Sequence, residues 1–166
     1  MSIYFQPITT EEYPNWFDLS TSNYAEDKIR SKQWGLEGAL ERARKDTENL
    51  LPDGVATPNH HLLHVVDHIS EERVGYLWWC LTERFGRRIA FIFDIHIFQN
   101  YQRRGFATST LQHLEKIVRE HNVQALSLHV FAFNTGAYKL YEKLGYVTTS
   151  VSMTRELDVP QDENKI

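Results

Sequence analysis

The spacing of apolar positions changes repeatedly along the chain, and each change marks an element. Ile3 to Ile8 reads as a first strand, closed by Pro7 and a Thr9-Thr10 cap. Thr10, two glutamates, then Trp16, Phe17 and Leu19 predict a helix running towards Ile29, with Pro14 confined to its first turn. A second helix, rich in Glu, Ala, Arg and Lys, is expected from Leu36 to Leu50, where Pro52-Asp53-Gly54 ends it. The run from His60 to His68 holds a Val pair that favours strand, and Val74 to Leu81 and Arg88 to Ile97 follow as further strands. Short connections between these three predict an antiparallel meander. The period then lengthens: Ala107, Leu111, Leu114 and Val118 recur at helical spacing. Ala125 to Phe131 alternates, with Leu126, Leu128 and Val130 opposite Ser127, His129 and Phe131. Asn134 precedes a helix whose Ala137, Leu140, Tyr141 and Leu144 share a face, and Gly145 ends it. Tyr146 to Leu157, with alternating Val147, Thr149, Val151 and Met153, is expected as a last strand, and 158–166 as a frayed polar tail. The expected fold is one mixed α/β domain (α+β type) over residues 1–157. Its twisted, mostly antiparallel central sheet carries helices on both faces.

Composition narrows the function classes. The length of 166 residues fits one domain, and 42% hydrophobic with 24% charged residues is globular rather than disordered. A net charge of −4 removes any global field favouring nucleic acid, although Arg84, Arg87, Arg88, Arg103 and Arg104 form the alternative basic set. Cys80 is the lone cysteine, set in an apolar run, and reads as a buried small hydrophobe. The N-terminus lacks a basic region followed by an apolar stretch, and no apolar run approaches the ~20 residues of a membrane span. A cytoplasmic protein with no membrane or nucleic-acid partner is expected. In the histidine run, residues four apart on a strand are about 13 Å apart, too far for shared coordination at Zn–N of about 2.0 Å. No metal is expected there; His60, His61, His64 and His68 read as a polar edge or the wall of a substrate site.

Chemistry concentrates at Gln102-Arg103-Arg104-Gly105-Phe106-Ala107-Thr108, between a strand and a helix. The first N–H groups of a helix have no partner within it, and the macrodipole places partial positive charge at the same end. Gly105 lets backbone approach an anion where a Cβ would clash, and the arginines add forked donors. The turn is neither a P-loop nor a three-glycine dinucleotide fingerprint. An ordinary strand-to-helix turn with a solvated arginine pair is the alternative.

Together with Asn134, Ala137, Tyr141, Gly145 and Tyr146 downstream, this turn resembles the GCN5-related N-acetyltransferase (GNAT) superfamily. There a Gln/Arg-x-x-Gly-x-Gly/Ala turn binds the pyrophosphate of acetyl-CoA, and an Asn-x-x-Ala-x-x-x-Tyr-x-x-x-Gly-Phe/Tyr stretch completes the thioester end. The resemblance covers Phe91 to Tyr146 well and the first half only by element order. It departs from the commonest form in having Gln102, Arg103 and Ala107 where Arg, Gly and Gly are usual. It implies that Gln102 to Thr108 wrap the pyrophosphate, that the backbone of Ile95, His96 and Ile97 pairs with the pantetheine arm, and that Asn134 bonds it. Ala137 falls within the same stretch. It further implies that the N–H of Ile97 polarises the thioester and that the early helices border the acceptor.

Transfer to an amine needs a base and a proton for the leaving thiolate. Tyr141 is the candidate acid, against the alternative of a core tyrosine packed with Leu140 and Leu144. Asp94 and His96 share one face of their strand, with Ile95 and Ile97 on the other; Asp94 is the first candidate base, and His129 a counterpart on the next strand. The expected activity is acetyl-CoA-dependent N-acetylation of a primary amine on a small molecule or peptide. A non-catalytic acyl-CoA-binding regulator is the alternative. A homodimer through a sheet edge or the last strand is compatible with the pattern.

Overall fold

The computed structural model describes residues 2–84 and 86–157. Among them the strands are β1 (Ile3–Pro7), β2 (His60–Asp67), β3 (Arg73–Arg84), β4 (Arg87–Ile97) and β5 (Ala125–Leu128). The helices are α1 (Tyr13–Arg30), α2 (Ala39–Leu50), α3 (Phe106–Glu120) and α4 (Thr135–Lys143). The strands lie in chain order in one sheet, antiparallel throughout except for the parallel β4–β5 pair. The meander and the later strand–helix–strand–helix order are thus as the apolar spacing predicts.

Local chemistry sets the first element. The Thr9 N–H bonds Glu12 Oε2 at 3.0 Å and the Glu12 N–H returns to Thr9 Oγ1 at 3.3 Å, a reciprocal cap before α1. Pro14 sits in the first turn, where its missing N–H costs nothing. That Thr9 bond, then the Arg73 guanidinium, holds the Glu12 carboxyl down to about 2. Its contribution to folding is present above the ordinary carboxylate range and is lost as pH falls towards about 2.

Two cores cover the two faces of the sheet. Leu77, Trp79, Ala90 and Ile92 face Phe106, Leu111, Leu114 and Val118 of α3, with Leu140 and Tyr141 of α4 beside them. On the other face Leu62, Tyr76 and Trp78 pack under Trp16 and Phe17 of α1. α2 then rests on α1 through Ala25, Ala39 and Ala43. Cys80 is buried, and burial pushes its thiol up.

Strand register creates two features that matter for function. β4 pairs β3 with Trp78 opposite Asp94 and Trp79 opposite Ile92, so Phe93 is an extra residue, a β-bulge. The bulge places Phe93 and Asp94 on the same face, towards α1: Phe93 stacks on Trp78 at 4.5 Å and Asp94 accepts from Ser20. The β4–β5 pairing ends at Ile92 opposite Leu128. Beyond it the two chains part, leaving a notch along Phe93–Ile97.

A close approach supports the end of β4. A Cβ on Gly75 would lie 2.1 Å from the carbonyl oxygen of His96 and 3.0 Å from Ile97 Cα. Gly75→Ala therefore forces backbone, not a flexible side chain, to move. Equilibrium urea unfolding should register a loss of about 1–3 kcal/mol.

Three sequence expectations need correction. Tyr146 to Leu157 carries no strand, although its alternation is strand-like, because no neighbouring strand supplies a ladder. β5 stops at Leu128 rather than Phe131, where its partner diverges. The histidine run is not a polar edge: β2 lies between β1 and β3, and His68 falls beyond the strand's end. Residues 158–166 lie outside the described residues.

Candidate active site

The notch opens into a cavity of about 340 Å³ whose walls come from both sides of the sheet's split end. α1 contributes Ser20, Asn23, Asp27 and Lys28; β4 contributes Phe93, Asp94 and Ile95. The chain after β5 contributes His129 and Phe131, and α4 brings Asn134 and Tyr141. Asp94 of β4 thus faces the same space as Asn134 and Tyr141, some 40 residues later in the sequence.

Burial raises both acid–base candidates. Burial raises the Asp94 carboxyl to about 6, partly offset by bonds from the Ser20 hydroxyl, 2.9 Å away, and from Tyr76. Asn23 donates to the Tyr76 hydroxyl at 3.3 Å, so Asp94 sits at the end of a polar chain from α1. Burial, reinforced by the charge of Asp94, raises the Tyr141 phenol to about 12, which keeps it protonated through neutral pH. A carboxylate titrating near neutrality beside a protonated phenol is a base and an acid in one cavity.

The remaining sequence candidates divide by placement. His96 shares the face of Asp94 but stacks on Tyr76 at 5.2 Å, outside the cavity wall, and burial lowers it. His129 lines the cavity, its ring edge-on to Phe131 at 4.9 Å, and burial lowers it too. His60 backs the wall: it accepts the Trp78 indole N–H at 3.0 Å and stacks on Phe93. His64 meets Glu12 at 3.2 Å, and His61 stacks on Trp79 on the opposite face. Among the described residues no cluster of His, Cys, Asp and Glu could hold a metal.

At the bottom of the notch lies the glycine turn. Phe98 donates its N–H to Val74 at 2.9 Å, so strand alternation directs the N–H and C=O of Ile97 to the opposite edge, into the notch. Gln102 Nε2 bonds that Ile97 carbonyl at 2.9 Å, fastening the turn to β4. Arg103 and Gly105 then adopt left-handed φ of 61° and 88°, which folds the turn into the first N–H groups of α3. No side chain caps that helix start. The Phe106 side chain is buried in the core and Ala107 packs against it, so these residues offer the turn only backbone. Thr108 sits in the first turn of α3.

The arginines part company. A Cβ on Gly136 would lie 3.8 Å from Arg103 Nη1, so Arg103 reaches across to the first turn of α4. Arg104 lies over the rings of Tyr101 and Phe106, at 5.6 and 5.4 Å. Across the gap Asn134 Oδ1 accepts from the Ala137 N–H at 3.2 Å and caps α4. The donor set around the turn is backbone N–H and guanidinium: this is chemistry for an anion.

Residues 15–146 match the model of the acetyltransferase (GNAT) family. Over 157 residues, 95% of this chain and the whole of the relative, the chain is 35% identical to an uncharacterized N-acetyltransferase of Bacillus subtilis, YycN. The chain belongs to the GNAT acetyltransferase family. A second B. subtilis relative in that family, the uncharacterized N-acetyltransferase YdgE, is 31% identical over 95% of this chain and 99% of its own. The crystal structure of YycN superposes with a TM-score of 0.89 over 95% of this chain and all of the other. An acetyl transferase structure from Pyrococcus furiosus, 22% identical over 94% of this chain and all of its own, shares the fold at a TM-score of 0.69.

Within this GNAT domain, several site residues escaped the sequence. Ser20, Asn23 and Tyr76 hold Asp94, yet none belongs to a motif, and only the packing of α1 on the sheet joins them. The Phe93 bulge left no trace either. Gln102 was legible as part of the turn, but the bond of its side chain to Ile97 was not.

Proposed function

We propose that the chain is an acetyl-CoA-dependent N-acetyltransferase acting on a primary amine of a small molecule or peptide. The observation that carries the reading is the pairing of Asp94 and Tyr141 in one cavity, along β4, the strand to whose end the glycine turn is fastened through Gln102. The donor set fits the co-substrate: the turn from Gln102 to Thr108 and the Arg103 guanidinium suit a pyrophosphate, and the open edge of β4 at Ile95 and Ile97 suits an amide-bearing arm. When bound, acetyl-CoA supplies an activated thioester.

The chain's own residues do the rest. An ammonium acceptor of pKa ~10 must lose a proton before its nitrogen can attack. Asp94, ionised above about pH 6, accepts that proton directly or through water. The N–H of Ile97 faces the notch and stabilises negative charge on the carbonyl oxygen as the nitrogen–carbon bond forms. As the carbon–sulfur bond breaks, the Tyr141 hydroxyl gives its proton to the thiolate; the second proton, which the nitrogen sheds on becoming an amide, restores the phenol through water, and Asp94 releases its own proton to solvent. Phe93, Trp78 and Phe131 make a wall that keeps bulk water from the thioester.

The test is thiol release from acetyl-CoA against a panel of primary amines, with alcohols of the same carbon skeletons as controls. Amine-dependent release, with the acetylated amine identified by mass, is expected. Binding of acetyl-CoA with no release for any amine would instead favour an acyl-CoA-sensing module.

A further inference from the structure

Besides Asp94, the cavity walls carry two more carboxylates, Asp27 of α1 and Asp46 of α2. Among the described residues neither carboxyl makes a hydrogen bond or an ion pair. Ser20, Asn23 and Asp27 follow one another at spacings of three and four residues, so they form one stripe along α1. The Ser20 hydroxyl donates to Asp94 at 2.9 Å, which sets where that stripe begins. Seven residues of helix rise about 10 Å, so Asp27 stands about two turns away from the reacting end. Burial pushes the Asp27 carboxyl up, and the Arg30 charge offsets only part of that. The charge of Asp27 in turn adds to the effect of burial on Asp94, so the two carboxyls act on each other across the cavity.

The cations on this side are engaged elsewhere. Lys28 lines the cavity, but its ammonium bonds Gln33 Oε1 at 2.7 Å and lies over the rings of Tyr24, Trp34 and Phe131. The Arg30 guanidinium lies over Phe133 at 4.2 Å. The sheet supplies an apolar floor: Phe93 stacks on Trp78 at 4.5 Å and meets Phe91 at 4.9 Å, and all three line the cavity. Such a floor suits methylene groups, and an unpaired carboxylate beyond it suits a cation that the chain does not provide.

We propose that the acceptor is a linear diamine, with its reacting nitrogen at Asp94 and its second, cationic nitrogen held by Asp27. The proposal rests on this cavity being the site of acetyl transfer. Asp46 adds a further counter-charge to the same wall. The stripe on α1 acts as a ruler. An extended chain advances about 1.2 Å per bond, a third of the ~3.6 Å that an extended residue spans. The seven bonds between the nitrogens of 1,6-diaminohexane therefore cover about 8 Å, and a hydrogen bond of about 2.8 Å to the carboxylate completes the ~10 Å. The four bonds of 1,3-diaminopropane cover about 5 Å and fall short. A monoamine leaves Asp27 unpaired, and a chain ending in a carboxylate is repelled by it.

The test compares kcat/KM for 1,6-diaminohexane, 1,3-diaminopropane, hexylamine and 6-aminohexanoate, with calorimetric binding of the same four in the presence of CoA. The longer diamine should exceed hexylamine roughly 10–100-fold, the worth of one charge-assisted contact. It should also exceed the shorter diamine, and 6-aminohexanoate should be the poorest acceptor. Asp27→Asn, which keeps the shape, should bring 1,6-diaminohexane down to the level of hexylamine. Asp27→Lys should reverse the order in favour of 6-aminohexanoate, a gain that loss of folding cannot produce. Equal values for hexylamine and 1,6-diaminohexane, or a diamine preference that survives Asp27→Asn, would overturn the proposal. So would failure of all four to bind. Binding separates the acceptor from the reaction: preferential binding of the diamine without transfer would support the acceptor and contradict acetyl transfer, whereas equal transfer to both amines would do the reverse.

Discussion

Asp94→Asn should abolish most of the transfer activity while making the protein more stable near neutral pH. Both effects follow from one carboxyl that burial raises from 3.8 to about 6. Because the folded-state value lies above the unfolded one, the stability linked to this group is complete below about pH 4 and is lost as pH rises through about 6. A shift of that size corresponds to a burden on the order of 3 kcal/mol once the carboxylate is charged. Asn has the same shape, keeps an oxygen for the Ser20 hydroxyl and carries no charge. Thermal melts should therefore place the variant above wild type at neutral pH and level with it near pH 4. The rate constant should fall roughly 10²–10⁴-fold, the usual worth of a positioned base. Its acid limb, centred at about 6 in wild type, should disappear. An unchanged limb in Asp94→Asn would assign the base elsewhere, with His129 next in line because it lines the same cavity.

Tyr141→Phe should lower the rate about as much, with a different signature. A phenol raised to about 12 stays protonated across any practical assay range, so its loss lowers the rate at every pH and leaves the limb near 6 in place. The ring still fills its place against the core of α3 and the sheet, so acetyl-CoA affinity and the melting temperature should hardly move. Single-turnover kinetics would separate chemistry from binding. A kcat within a factor of a few of wild type would leave Tyr141 as a core tyrosine, the alternative that its helical spacing with Leu140 and Leu144 always allowed.

What could be read from the sequence, and what could not, follows the range of the interactions. The helices were legible because a 3.6-residue stripe of buried side chains is a local property, and α1, α3 and α4 each fall where that stripe predicts. The faces of β4 were legible from Asp94 onward by period two. The bulge at Phe93 was not, because Phe91-Ile92-Phe93-Asp94 alternates equally well with or without an extra residue opposite β3. The turn announced itself through Gly105, whose φ of 88° few other residues tolerate. The hold on Asp94 depends on α1 lying over the sheet 74 residues away from it in sequence, and no local pattern records that. For the same reason alternation in Val147 to Leu157 identified a strand-forming face but not whether an edge would meet it.

The notch between β4 and β5 is the proposed seat of acetyl-CoA, and calorimetric titration of acetyl-CoA into wild type and Arg103→Glu tests that most directly. Arg103 reaches from the glycine turn to the start of α4, and reversing its charge should weaken binding at least 10-fold if phosphates lie there, given ~1.5–3 kcal/mol for a charge-assisted contact. Micromolar binding by wild type, lost in the variant and retained in Tyr141→Phe, is the predicted result. Absence of binding by the wild-type chain, or equal binding by wild type and Arg103→Glu, would contradict it.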